Sequence, residues 1–168
     1  DTDCATNAYC KAGACVAALG KGSVCTRNRE CGTGVCADGV CCDSACAGTC
    51  DACSKALGAT SDGTCTVLPK TASPAECGAA RCSGVTAACG STCTVDTDCS
   101  TTGFCNGGVC STLRKKGESC ERNPQCGSGL ACTDGVCCNE ACNCACQACS
   151  ALNKASGDKS GECGPAKE

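Results

Sequence analysis

Sulfur is the element through which this chain would do chemistry. Its 168 residues include 29 Cys and no His, Met or Trp. Without His, a Ser or Cys nucleophile lacks its usual general base and the group that orients it. The composition therefore predicts a protein that is not an enzyme. Three uses of sulfur remain. The Cys-x-x-Cys pairs Cys50/Cys53 and Cys146/Cys149 could cycle as redox dithiols, but in that role the motif opens a helix laid on a parallel sheet, and no such pattern surrounds them. The run Cys142, Cys144, Cys146 and the vicinal pairs Cys41/Cys42 and Cys137/Cys138 could hold a thiolate-bound metal. The third use, structural cross-linking, fits the repeat framework with Cys144 set aside and explains the turn residues between the Cys. It is the reading adopted here, with no metal and no cofactor expected.

The elements that would position these sulfurs occur twice. Cys4, Cys10, Cys15, Cys25 and Cys31 recur 95 residues later as Cys99, Cys105, Cys110, Cys120 and Cys126. One inserted residue moves the offset to 96 for Cys36, Cys41, Cys42, Cys46, Cys50 and Cys53, which become Cys132, Cys137, Cys138, Cys142, Cys146 and Cys149. Cys65 and Cys163 close the series at 98. The two aromatic residues, Tyr9 and Phe104, also fall in register, which points to a shared packing role. Such repetition is the mark of an array of small units. The expected divisions are a first repeat over residues 1–66, a linker with a small cysteine module over 67–92, and a second repeat over 93–168. Cys93 has no counterpart in the first copy, and the expectation is of two clipped repeats from a longer array. A full repeat would carry 16 Cys with Cys144 set aside, an even number.

Within each repeat, C-K-A-G-A-C, C-A-D-G-V-C, C-N-G-G-V-C and C-T-D-G-V-C predict tight hairpins. Asp-Gly or Gly-Gly at the centre supplies the positive φ that primed two-residue turns need. Side chains alternate along a strand, which puts Cys36 and Cys41 on one side and Cys42 on the other. Cys41 can then bridge inside its own hairpin while Cys42 bridges forward into the next. After the pair, Cys42, Cys46, Cys50 and Cys53 have a helical spacing broken by Gly48, predicting one or two short turns that end at Gly58, with Gly157 as the stop in the second copy. Residues 67–76 contain two Pro and read as an extended linker. Cys77, Cys82 and Cys89 form a looser module without clear period.

The aromatic fraction is 1%, so buried apolar area is small and burial alone does not offset chain entropy. Staples must supply what a core normally does. Disulfides persist in oxidising compartments, and the expected location is extracellular or at a cell surface, reached by export. Asp1 opens a polar run rather than a leader, and no apolar stretch approaches a membrane span. A net charge of −3 gives no electrostatic attraction to nucleic acid or anionic lipid. Arg114, Lys115 and Lys116 could bind an anion but read as a solvated loop, since the first copy has only Lys21 there. The pairs Asp1/Asp3 and Asp96/Asp98 lack the further oxygens a Ca²⁺ loop needs and read as turn caps. Ser and Thr are frequent enough to suit O-linked sugars, and no Asn-x-Ser/Thr sequon occurs.

The stretch C-T-V-D-T-D-C-S-T-T-G-F-C-N-G-G-V-C resembles the Dickkopf N-terminal cysteine-rich pattern, in which D-x-D-C precedes G-[FY]-C and a final Cys. The whole unit, with D-G-V-C-C-[DN]-x-A-C, is similar to cysteine-rich repeats of long secreted and surface proteins from myxobacteria and related bacteria. That resemblance implies a non-catalytic stalk, adhesin or matrix component and carries no Wnt-receptor role. By analogy with four-Cys hairpin modules, first would pair with third and second with fourth: Cys93 with Cys105, Cys99 with Cys110. The Cys-x-Cys-x-Cys run is similar to metallothioneins, although most spacings here are wider and filled with turn residues.

These readings give a small disulfide-rich fold, an elongated tandem array of short β-hairpin modules with brief helical turns and little hydrophobic core. Its structural disulfides draw on Cys25, Cys31, Cys36, Cys41, Cys42, Cys93, Cys99, Cys105, Cys110, Cys120, Cys126, Cys132, Cys137 and Cys138. Cys144 stands where the first copy has Gly48, and a bridge between chains, with Cys10 as a candidate partner, would use it. The expected partners are further copies of the chain, head to tail, and cell-surface glycans. The rival functions are a secreted binding module or protease inhibitor displaying residues 67–76, and a metallothionein-like metal binder.

Overall fold

A computed structural model of the chain describes residues 3–168. Among these residues the regular structure consists of antiparallel two-stranded hairpins and three-residue 3₁₀ turns. The hairpins pair β1 (Ala8–Lys11) with β2 (Ala14–Ala17), β3 (Cys36–Ala37) with β4 (Val40–Cys41), and β5 (Asp51–Ala52) with β6 (Thr66–Val67). They then pair β7 (Gly103–Asn106) with β8 (Val109–Thr112), β9 (Ala131–Thr133) with β10 (Val136–Cys138), and β11 (Gln147–Ala148) with β12 (Gly164–Pro165). This is a small disulfide-rich tandem array of hairpin modules.

The four hairpins expected from sequence all form, and for the expected reason. Their central residues have positive φ in pairs: Ala12 and Gly13 at 49° and 83°, Asp38 and Gly39 at 53° and 76°, Gly107 and Gly108 at 57° and 89°, Asp134 and Gly135 at 53° and 75°. Two consecutive left-handed residues define a primed turn whose twist matches that of the strands. The turns set the register that places Cys10 opposite Cys15, Cys36 opposite Cys41, Cys105 opposite Cys110 and Cys132 opposite Cys137.

The helical turns expected across residues 42–53 do not form. Cys46 has φ 46° and its copy Cys142 has φ 42°, which breaks any helix, and residues 51–52 pair as β5 instead. Sulfur spacing at i, i+4, i+8 records which loops the disulfides close and does not reflect a helical face. One 3₁₀ turn, Lys55–Leu57, survives; Ser54 Oγ accepts from Ala56 N–H, and Gly58 at φ 105° closes it as expected. In the second copy Gly157 is left-handed as well, at φ 63°, after a turn rather than a helix.

Residues 67–76 are held more firmly than an extended linker. Val67 pairs with Asp51, and Leu68 is 6% exposed, packed with Cys50, Ala52, Ala59 and Cys82. The chain clusters into two compact units. The first runs to Cys77 and takes in Arg81–Gly90; the second takes Gly78–Ala80 and Ser91–Glu168. Apolar packing in each is confined to small clusters in which Cys is the commonest member. Phe104 is the largest fully buried side chain among the described residues. No helix of the described residues is long and apolar enough to cross a membrane.

Candidate functional site

Thirteen disulfides join 26 of the cysteines among the described residues. In the hairpin modules first bonds to third and second to fourth: Cys25–Cys36 with Cys31–Cys41, Cys93–Cys105 with Cys99–Cys110, and Cys120–Cys132 with Cys126–Cys137. Cys4–Cys15 belongs to the same pattern. The vicinal pairs divide their work as their alternation predicts. Cys41 and Cys137 bond back into their own hairpins, while Cys42 and Cys138 bond forward to Cys53 and Cys149. Cys46–Cys65 and Cys142–Cys163 then close the second module type, Cys50–Cys82 reaches across the inter-repeat segment, and Cys77–Cys89 closes that segment on itself.

Around seven of the bridges a side-chain oxygen takes up a cysteine amide that no ladder satisfies. Asn28 accepts from Cys36 N–H at 2.8 Å, Asp96 from Cys105 at 2.9 Å and Asn123 from Cys132 at 2.7 Å. Asp38 and Asp134 accept from Cys53 and Cys149 at 2.6 and 2.7 Å, and Asp43 and Asn139 from Cys65 and Cys163, both at 3.0 Å. These residues orient the loops that carry the sulfurs, and either Asp or Asn can cap a cysteine amide because that bond needs only an acceptor oxygen. Asp98, as expected, caps a turn, accepting from Thr94 and Val95 N–H. Asp3 is exposed, and Asp1 lies outside the described residues.

The basic triplet is dispersed. Lys116 pairs with Glu162 at 2.6 Å, the place where Lys21 pairs with Asp43 at 2.9 Å in the first copy. Arg114 lies over the Phe104 ring, 5.7 Å from its centroid. Sequence reasoning missed a second cation, Arg122, at 5.9 Å from the same ring; its Nη2 donates to Cys105 O and its guanidinium pairs with Asp96. Its copy Arg27 stands 5.9 Å from the Tyr9 ring and donates to Cys10 O. The signal was the C-[TE]-R-N string shared by both repeats. The Arg122 guanidinium and the Cys105 amide hold the Asp96 carboxyl below the usual range, and the pair raises Arg122 in turn. Asp43 is likewise lowered, by the Cys65 amide and then by Lys21.

The groups of three sulfurs that lie close enough for a metal are neighbouring disulfides. The Cys50 and Cys77 sulfurs, for example, touch at 3.5 Å from separate bridges. A bonded sulfur is no thiolate, which removes most ligands from the metallothionein-like reading. Of Cys142, Cys144 and Cys146, the first is bonded to Cys163, while Cys144 and Cys146 are exposed free thiols in the second unit. Cys10 lies in β1 of the first unit, partly buried. Cys146 was not expected to stay unbridged, yet its copy Cys50 takes Cys82 from a segment that holds an odd three cysteines. At Gly48, the copy of Cys144, an added Cβ would stand 2.4 Å from Ala87 Cβ. That segment packs tightly over residue 48 in the first unit, and no Cys fits beneath it.

The first unit also contains an open cleft of about 680 Å³, whose walls include Asp38, Asp51, Leu57, Leu68, Ala72, Pro74 and Glu76. Nothing in the sequence marked it, because its walls come from five separated segments.

Residues 92–138 match the family described as the Dickkopf N-terminal cysteine-rich region. The matched stretch holds the modules β7–β8 and β9–β10, with their four first-to-third and second-to-fourth bridges, and is Dickkopf N-terminal-like in sequence. No curated protein and no solved structure matches the chain.

Proposed function

We propose that this Dickkopf-like, disulfide-stapled chain is an exported, non-catalytic structural element, a subunit of an extracellular stalk or fibre. The observation that carries the reading is the ratio of staples to core. Thirteen bridges, most closing loops of 10 to 12 residues, stand where an ordinary domain has a continuous apolar interior. Such a molecule holds its shape without a large folded mass and tolerates repetition, which suits a spacer. The absence of His from the sequence removes the commonest general base.

Copies of the chain join covalently through Cys144 and Cys146, the exposed thiols of the second unit. Joining two such thiols releases two protons and two electrons to dissolved oxygen. Purified protein held under air is expected to give a ladder of species on a non-reducing gel, collapsing to one band on reduction. The variant Cys144→Ser/Cys146→Ser is expected to stay monomeric. A ladder that persists in the double variant, or a monomer in every condition with no fibre in electron micrographs, rejects the assembly role.

A further inference from the structure

The cleft of the first unit carries an inference independent of assembly. It is an open cavity of about 680 Å³, within the range of ligand-binding pockets. Five disulfide-anchored segments supply its walls: the β3–β4 turn with Asp38, the run before β5 with Gly48 and Thr49, the turn with Leu57, Leu68 after β6, and residues 72–76. Cys42–Cys53, Cys46–Cys65, Cys50–Cys82 and Cys77–Cys89 tie these segments together, so the cavity is preformed.

Its lining is of two kinds. Leu57, Leu68, Ala72 and Pro74 give an aliphatic wall, and Leu57 is 58% exposed although it belongs to a capped turn. Asp38, Asp51 and Glu76 give three carboxylates, and among the described residues no Lys or Arg lines the cleft. Asp38 spends Oδ2 on the Cys53 amide. Among the described residues Asp51 Oδ1 is buried without a donor, and Oδ2 faces the Cys65 sulfur at 3.6 Å, which is bonded to Cys46 and has no proton to give. A carboxylate left without a donor beside an apolar wall is costly, and a cation entering the cleft would pair it.

We infer that this cleft binds a basic segment of a partner polypeptide, a Lys or Arg flanked by aliphatic residues. Its ammonium or guanidinium group meets Asp51, with Glu76 and Asp38 at the rim, while its methylene stem and neighbours lie on Leu57, Leu68 and Pro74. A long cationic side chain has an apolar stem and a charged head, which matches both halves of the lining. The second repeat serves as an internal contrast. Gln147 replaces Asp51, Asn153 replaces Leu57 and Ala166 replaces Leu68. In place of Gly58 it has Lys154, which is 2% exposed, packs against Gly164 and donates to Lys159 O at 2.6 Å. The second repeat thus carries a lysine of its own where the first leaves a glycine beside the cleft.

The test is titration of the intact, isotope-labelled protein with the peptide acetyl-Ala-Leu-Lys-Leu-Ala-amide, followed by amide NMR. Shifts are expected at Thr49, Asp51, Leu57 and Ala72 and none at Gln147, Asn153 or Ala166. The Glu-for-Lys peptide should produce none. Asp51→Asn is expected to weaken binding about tenfold, the loss of one charge-assisted contact. Should that variant perturb the fold, Glu76→Gln and Leu57→Ser, both at exposed positions, carry the comparison. Glu140→Gln, an exposed acid of the second unit, should leave binding unchanged. Shifts spread over both units, binding that survives Asp51→Asn in a folded protein, or equal shifts with spermidine or Ca²⁺ alone would overturn the inference.

Discussion

Single side chains here act mainly on the backbone. Asp96 exemplifies this: one carboxylate accepts the Cys105 amide and pairs with Arg122, which in turn lies over the buried Phe104 ring. Its lowered pKa makes it a source of acid sensitivity. A carboxyl whose folded value lies below its unfolded one stabilises the fold above the unfolded value, about pH 4, and loses that contribution as pH falls through the folded value. Asp43, lowered by the Cys65 amide first, and Glu162, lowered by Lys116, act in the same direction. With disulfides intact, calorimetric melting temperature is expected to fall on acidification from pH 5 to pH 2 and to fall less steeply in Asp96→Asn. Equal slopes in the two proteins would remove Asp96 from the account. The Asp38 and Asp134 pair shows how legible such roles were. The Asp-Gly turns could be read from sequence, whereas the reach of each carboxylate to a cysteine amide 15 residues on could not.

At the scale of elements, the joint between the two module types depends on a glycine. Gly63 has φ 88°, and a Cβ there would stand 2.4 Å from Gly22 N and 2.9 Å from Cys41 O. Gly161 repeats this, with φ 103° and 2.6 Å to Gly117 N. Both carbonyls accept from the residue after the vicinal pair, Asp43 and Asn139. Gly63→Ala is expected to cost about 2 kcal/mol or more, since backbone strain of about 1–2 kcal/mol adds to a clash with main chain that cannot move aside. Gly13→Ala, at φ 83° with nothing within 4 Å, should cost only the strain. Denaturant midpoints of the two variants measure the difference, and equal shifts would show that the close approach is unimportant. No sequence signal separates these glycines, because the close approach is made by residues some 40 positions away.

For the molecule as a whole, stability rests on covalent loops. An isolated two-stranded hairpin is marginal in water, and the apolar clusters here are too small to add much. Each bridge contributes about 3 kcal/mol by restricting the unfolded chain. Reduction with a phosphine in native buffer is expected to abolish the dispersion of the amide NMR spectrum. Alkylation without reduction should label Cys144 and Cys146 and leave bridged cysteines such as Cys41 and Cys138 untouched. Persistence of the native spectrum after full reduction, or labelling throughout the chain before it, would remove disulfides as the organising force.

Local composition alone determined the hairpins, their register, the direction of each vicinal cysteine and the low-core, cross-linked class of the fold, because a primed turn needs only its own two residues and alternation needs only the strand. Tertiary structure decided the rest. It drew residues 67–76 into the first unit through Leu68, replaced helical turns by β5, sent Cys50 to Cys82 and so left its copy Cys146 exposed, and assembled an acidic cleft from five distant segments. Those outcomes depend on which segments meet in space, and spacing along a chain constrains loop lengths without choosing among the pairings they allow.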